Sequence, residues 1–362
     1  LSQDRTENSA FQAIFAVGQS LLLPERILKQ LNKRRTEETF TVQSNHDNAL
    51  VSIIMPLFNA ESYVVDALTS VLSVRQIPLE VIVVNDGSTD RSLQKLHSIK
   101  DDRIQIVNNA GKGIADALNT GLAKARGSII VRCDADDIYP IDRVERQVNW
   151  LNRHPEFGAV CGSYAAINPK GQRIITFECG TNSEDITAEL QAGTTRTHLC
   201  TFAIRADVLR AVGGFRPYFI TGEDIDMQLR LGDKTKVWYL PGVHYYYRVH
   251  KKSITHTKSS TEREFFDQVA REFQQQRQTV GIDALDQGCP PPIPPEHKKP
   301  PMSAAEHIQG FLLGEAWRNH RNGQPLKAIA NGMRSALTLP NNLSVWRSVF
   351  SLAAKSVLAD SR

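Results

Sequence analysis

From Val51 onward, short apolar runs alternate with longer stretches in which apolar positions recur every three or four residues. The first pattern is that of buried strands, the second that of amphipathic helices. VSIIMPLFN, LEVIVVN, RIQIVNN and SIIVRCD predict four strands, with YVVDALTSVL, DRSLQKLHSI and GIADALNTGLAKAR as the helices between them. In the last of these, Ile114, Leu118 and Leu122 share one face. Ser88 and Asp90 are the candidate N-caps of the middle helix. Strand–helix units in series predict an α/β fold, with a right-handed, largely parallel sheet flanked by helices.

The pattern continues with a helix at VERQVNWLNRH, a hairpin from FGAVCGSYAAIN and KGQRIITF, a helix at TGEDIDMQLRLG and a strand at VWYLPGVHYYYRVH. Beyond about residue 258 the character changes. CPPPIPPEHKKPPM reads as a stiff, extended linker, and from Ala304 three helical pieces are separated by RNGQP and LPNN. The pieces around RNGQP resemble one tetratricopeptide-type hairpin, without a second copy. The expected divisions are a helical N-terminal extension over 1–48, the α/β domain over 49–258, a helix and Pro-rich linker over 259–302, and a helical extension over 303–362.

Ligands of open parallel sheets bind beyond the carboxyl ends of the strands. Polar clusters fall at those ends: Pro56 to Asn59, Asn85 to Asp90, Asn108 to Lys112 and Asp134 to Asp137. Four ends converging on one crevice point to a site more strongly than any one motif.

Composition narrows the classes. Lys plus Arg total 43 against 39 for Asp plus Glu, and a net charge of +4 does not argue for nucleic acid as a partner. Five dispersed cysteines with no CxxC pair suit a reducing, cytoplasmic setting. No run approaches the ~20 apolar residues of a membrane span. FQAIFAVGQSLLLP with PERILKQLNKRR leaves two readings open: amphipathic helices packed on their own protein, or a peripheral contact with the cytoplasmic face of an inner membrane.

The densest chemistry is VRCDADDIYP, residues 131–140. Asp134 and Asp136 fall on one side of an extended chain, and ionised carboxylates so close together favour a cation. A hard ion such as Mg²⁺ or Mn²⁺ takes oxygen ligands and keeps positions for water or phosphate. The competing reading is a loop in which Asp137 caps the following segment.

Together, VSIIMPLFNAESYVVDALTSVL, VIVVNDGSTDRS, GKGIADALNTGLAKARGSIIVRCDADD, GGFRPYFITGEDIDMQLRL and YYYRVHKKSIT resemble a family 2 glycosyltransferase over Val51 to about His256. The resemblance implies a GT-A-like, Rossmann-type mixed, mostly parallel sheet with flanking helices, plus a helical C-terminal extension. It implies transfer of a sugar from a nucleotide-sugar donor to a saccharide or lipid-linked acceptor, with inversion. A UDP-linked donor is expected first, with guanine and thymine nucleotides open.

The resemblance also implies roles. Asp136 and His250 become ligands of Mg²⁺ or Mn²⁺, and Asp134 meets the ribose or reaches the metal through water. Arg248, two residues before His250, holds a phosphate oxygen. Pro56, Phe58 and Asn59 lie where the base stacks, Asp86 accepts from the base, and Lys112 is a further contact. Asp224 is the general base, with Glu223 beside it, and the Gly-rich GGFRPYF is a loop free to move over the site. Asn85 departs from the Asp that many members carry.

Blander readings stand beside these. NDGSTD is turn chemistry, Thr221 to Asp224 has capping-box spacing, His250 is a surface histidine, and Lys112 is solvated. The rival functions are a nucleotidyltransferase, for which MPLFNAES lacks a Gly-rich phosphate loop, and a non-catalytic nucleotide-sugar binder or scaffold working through its helical tail.

Overall fold

The computed structural model describes residues 50–253, 260–295 and 301–359, so the extension expected over 1–48 lies outside the described residues. Four parallel strands open the sheet: β1 (Val51–Leu57), β2 (Leu79–Asn85), β3 (Ile104–Asn108) and β4 (Ile129–Arg132). Between them run α1 (Val64–Leu72), α2 (Ser92–His97) and α3 (Ile114–Lys124). There follow α4 (Arg143–Arg153), β5 (Phe157–Ile167), β6 (Arg173–Phe177), β7 (Glu184–Asp185) and α5 (Thr187–Gln191). Next come β8 (Ala203–Arg205), α6 (Ala206–Ala211), α7 (Glu223–Lys234), β9 (Lys236–Arg248) and α8 (Ser260–Val280). The chain closes with α9 (Ala304–Arg321), α10 (Pro325–Thr338) and α11 (Leu343–Ala359).

The sheet order is β3-β2-β1-β4-β8-β5-β9-β7, with β6 on β5. β8 is antiparallel to β4 and β5, while β9 returns parallel to β5. Both faces are covered, which is why β1 and β2 read as unbroken apolar runs. Ile53, Met55 and Leu57 of β1 pack with α1 and α4, whereas Ile54 packs with α3 on the other face. Close approach there depends on Gly121 of α3, where a Cβ would stand 2.4 Å from Ile54 Cγ2.

Beyond the sheet, α8 lays Phe266, Val269, Ala270 and Phe273 against Phe219 and Leu229 of α7. The same region is laced by charge. Arg216 pairs with buried Asp226 and, at 2.6 Å, with Asp283, while Arg230 meets Asp226 at 2.7 Å and Arg277 meets Asp283 at 2.7 Å. The GGFRPYF segment is therefore tied down, with Phe215 and Phe219 buried, and is not the free loop its glycines suggested. Among the described residues no helix is long and apolar enough to cross a membrane.

Local expectations about caps are corrected. Arg91, not Ser88 or Asp90, is the N-cap of α2; Asp90 instead accepts from Ser92 N and Glu61 N, and Ser88 Oγ from Asn59 N. The capping box at Thr221 to Asp224 does not form, because Gly222 in the left-handed region at φ 76° is the N-cap and no side chain caps it.

Candidate active site

The carboxyl ends of β1, β2 and β4 carry the expected clusters, each held by its neighbours. Pro56 lies beyond the last pairing of β1 with β4, so its missing N–H costs no ladder bond. Phe58 follows it with 62% of its surface exposed, a flat apolar face open to a ligand. Asn59 adopts φ 48°, and its Oδ1 accepts from Thr89 N at 2.8 Å and Asp90 N at 3.3 Å, clamping the β1 and β2 loops together. Asp86 joins the next pair of loops. Its Oδ1 accepts from Asn109 Nδ2 at 2.7 Å and its Oδ2 from Gly113 N at 2.9 Å. Each oxygen keeps a lone pair for a further donor. Lys112 is exposed, and its backbone N–H donates to Asp116.

DADD is a turn and not the extended run that its spacing suggested, for Asp137 N donates to Asp134 O at 3.1 Å. The three carboxylates consequently go separate ways. Asp134 is gripped by Arg132, Nε to Oδ1 at 2.6 Å and Nη2 to Oδ2 at 3.0 Å. Asp137 is buried and accepts from Arg248 N at 2.7 Å, so it anchors β9 and caps nothing. Burial first, then the charges of Asp136 and Asp134, push its carboxyl well above the ordinary range. Asp136, half-buried like Asp134, sets its Oδ2 2.8 Å from His250 Nε2.

These two residues fit a hard divalent ion. One carboxylate oxygen and one imidazole nitrogen converge from different segments, with Asp136 partly open to solvent. Among the described residues no third His, Cys, Asp or Glu joins them. His250 is held on its far side by Tyr63, ring centroids 4.6 Å apart, and its Nδ1 accepts from Lys252 N at 3.2 Å. Metal at Nε2 requires the Nδ1–H tautomer and gives up that Lys252 bond. Arg248 is nearly sealed: Nε donates to Asp136 O at 2.7 Å, Nη1 to Pro169 O at 2.8 Å, and Tyr63 covers the guanidinium. Its Nη2 is buried without a hydrogen-bond partner, 3.6 Å from Asp66 Oδ2. Holding the turn and β9 together is thus its visible work.

Sequence reasoning passed over Arg132. From the end of β4 it spans the cleft, donating through Nη1 to Glu223 at 3.0 Å while gripping Asp134. It thereby sets the first turn of α7, with Glu223 and Asp224, opposite the DADD turn. Burial opposes its charge, but Asp134, Cys200 and Glu223 outweigh that and raise its pKa. Glu223 is pushed up to about 7 by burial, Arg132 pulling the other way and Asp224 adding to the rise. Burial raises Asp224 too, again against Arg132, with Asp267 reinforcing the rise. His198 also went unread. It lies tilted against Tyr164, ring centroids 4.3 Å apart, with its outer surface exposed; the protein packed around the ring, and then Arg132, lower its pKa. The one signal for Arg132 was its place two residues before Asp134 at a strand end.

The profile for "Glycosyl transferase family 2" matches residues 52–213. This domain belongs to glycosyltransferase family 2. The glycosyltransferase domain is 36% identical over 123 residues to the Escherichia coli UDP-Glc:alpha-D-GlcNAc-diphosphoundecaprenol beta-1,3-glucosyltransferase WfgD, covering 34% of this chain and 48% of that protein. Hyaluronan synthase of Pasteurella multocida is 30% identical over 209 residues, 56% of this chain and 21% of the synthase. The chain spans about half the length, or less, of the curated relatives it matches. The crystal structure of S. aureus TarS 1-349 in complex with UDP-GlcNAc superposes with a TM-score of 0.54 at 15% identity, covering 85% of this chain and 88% of that one. That likeness is one of fold, the GT-A arrangement.

Proposed function

We propose that the chain is an inverting glycosyltransferase that moves a sugar from a UDP-linked donor to a hydroxyl of a saccharide or lipid-linked glycan. The observation that carries this reading is the Arg132 bridge, which brings the acid pair of α7 to the strand-end cleft occupied by Phe58, Asp86 and the DADD turn. The E. coli relative, whose name gives a UDP-sugar donor and a diphosphoundecaprenol-linked acceptor, supports the donor and acceptor classes. A lipid-linked acceptor also suits work at the cytoplasmic face of an inner membrane.

In this scheme Phe58 stacks on the base and Asp86 accepts from its N–H. Asp136 and His250 hold Mg²⁺ or Mn²⁺, which when bound neutralises charge on the departing diphosphate. Asp134, already held by Arg132, meets the ribose. Asp224 takes the proton of the acceptor hydroxyl as the new glycosidic bond forms and the sugar–diphosphate bond breaks. Burial raises its pKa, which makes it a stronger base for that proton. A single displacement with one base inverts the anomeric centre.

The test is calorimetric binding of UDP, GDP and dTDP, each with Mn²⁺ or chelator, to the wild type and Asp136→Asn. Metal-dependent binding of UDP, lost in the variant, is expected. Asp224→Asn is expected to bind UDP normally and to lose at least ~10²-fold in transfer. Failure of every nucleotide to bind under any condition overturns the reading.

A further inference from the structure

A second cavity lies away from the DADD turn. β6 and the residues after it face α9 and α10 across a cleft of about 680 Å³, within the ~300–1,000 Å³ range of small-molecule sites. The wall is docked firmly: Phe177 meets Phe311 edge-on at 4.9 Å, and Arg334 Nη2 donates to Ile174 O at 3.3 Å. The lining is polar and balanced in charge, Glu178 and Glu315 offsetting Arg318 and Lys327, with Asn319 and Asn322 among the amides between them. Arg318 and Glu315 are already paired at 3.0 Å, and Asn319 Nδ2 donates to Glu315 at 3.4 Å. A surface that both donates and accepts, with no excess of either charge, matches a neutral ligand rich in hydroxyls. A phosphate or polyanion requires surplus cations, and an apolar ligand an apolar wall.

The cleft is linked to the DADD turn. His198, Tyr164 and Phe177 form a row of rings, with neighbouring centroids 4.3 Å and 4.6 Å apart. The row ends beside the DADD turn, since Cys200, two residues after His198, donates through Sγ to Asp134 Oδ2 at 3.6 Å. The polar walls of the cleft suit the hydroxyl edges of sugar rings.

We propose that this cleft is a subsite for the non-reacting sugars of an extended acceptor, whose reactive end passes His198 and Tyr164 to reach Asp224. The inference rests on the acceptor being a saccharide, as proposed above. Binding energy gained on remote sugars serves to orient the reacting hydroxyl.

The experiment uses the full chain on an array of neutral and phosphorylated oligosaccharides of one to six sugars, with UDP–Mn²⁺ calorimetry and thermal melting in parallel. Two variants at exposed lining positions are compared with the wild type: Asn322→Ala with Lys327→Ala, and Ala330→Trp, which fills the cleft. The wild type is expected to bind longer oligosaccharides more tightly than monosaccharides. Both variants are expected to lose about tenfold on the longer ones, with UDP affinity and melting unchanged. Equal binding by wild type and variants, no saccharide binding, or a signal confined to phosphorylated glycans, each with UDP still bound, overturns the subsite alone. Loss of UDP binding by every protein, wild type included, overturns the function on which it rests.

Discussion

Replacing Arg132 with methionine keeps most of the side chain's bulk and removes the charge that joins β4 to α7. Two contacts vanish, the two-pronged grip on Asp134 and the 3.0 Å bond to Glu223. Burial already holds Glu223 at about 7 despite Arg132. A unit pair at ~4 Å with an effective dielectric of ~20 interacts by about 4 kcal/mol. At 1.36 kcal/mol per pKa unit, removing the partner raises Glu223 by at most about three units, and water entering the gap reduces this to about one or two. Glu223 and Asp224 titrate as a coupled pair, so the acid limb of activity moves with them. The assay is UDP release from a UDP-sugar with acceptor, as kcat/KM between pH 5 and pH 9. The expected result is an acid limb displaced upward by about one unit or more, with UDP binding weakened far less. A uniformly lower rate with an unmoved acid limb refutes the idea that Arg132 tunes this pair, leaving it a mere brace.

Glu223→Gln addresses the same pair through stability. A carboxyl whose folded pKa lies above its unfolded value stabilises the fold fully below the unfolded pKa near 4.5, and that contribution fades as pH rises through about 7. Urea midpoints of the wild type should therefore fall between pH 5 and pH 7.5 more steeply than those of the glutamine variant; parallel curves contradict the reasoning. Arg216→Ala leaves Asp226, fully buried, without one of its two guanidinium partners and takes one from buried Asp283, a loss of about 3–5 kcal/mol by chemical denaturation. A loss below ~1 kcal/mol shows the network to be loosely coupled. Gly121→Ala offers ~1 kcal/mol of helix propensity but sets a Cβ 2.4 Å from Ile54 Cγ2. Overpacking of about 1–3 kcal/mol should outweigh the gain, and Ile54→Ala in the same chain should relieve part of it in a double-mutant cycle.

The four strands through β4 were legible because buried parallel strands write themselves as apolar runs, and their polar ends mark the crevice without any knowledge of contacts; their order across the sheet was not. What escaped was the assignment of charge to charge. The spacing of Asp134 and Asp136 suggested two carboxylates side by side, yet the turn at Asp137 turns them apart, and Arg132 claims the first. Local sequence cannot foresee this, since the deciding partner on the other side is Glu223, 91 residues away. The same limit applies to Arg248. Alternation put it on the face of His250, but its hydrogen bonds run to the carbonyls of Asp136 and Pro169, which no pattern along β9 announces.

Arg132 also explains why a strand end should carry so many acids. If all of DADD served one cation, the turn would need three carboxylates aimed at a point, and repulsion among them would have to be met by the ion alone. Instead each acid has its own positive or donor partner: Arg132 for Asp134, His250 for Asp136 and the Arg248 backbone for Asp137. Those partners come from β4, from β9 and from the segment just after it, so the turn is where the first and second halves of the sheet are joined. Its rigidity then follows from the fold and does not wait for a ligand. A site ordered in this way loses little entropy when donor and acceptor arrive, which is the condition for spending binding energy on orientation.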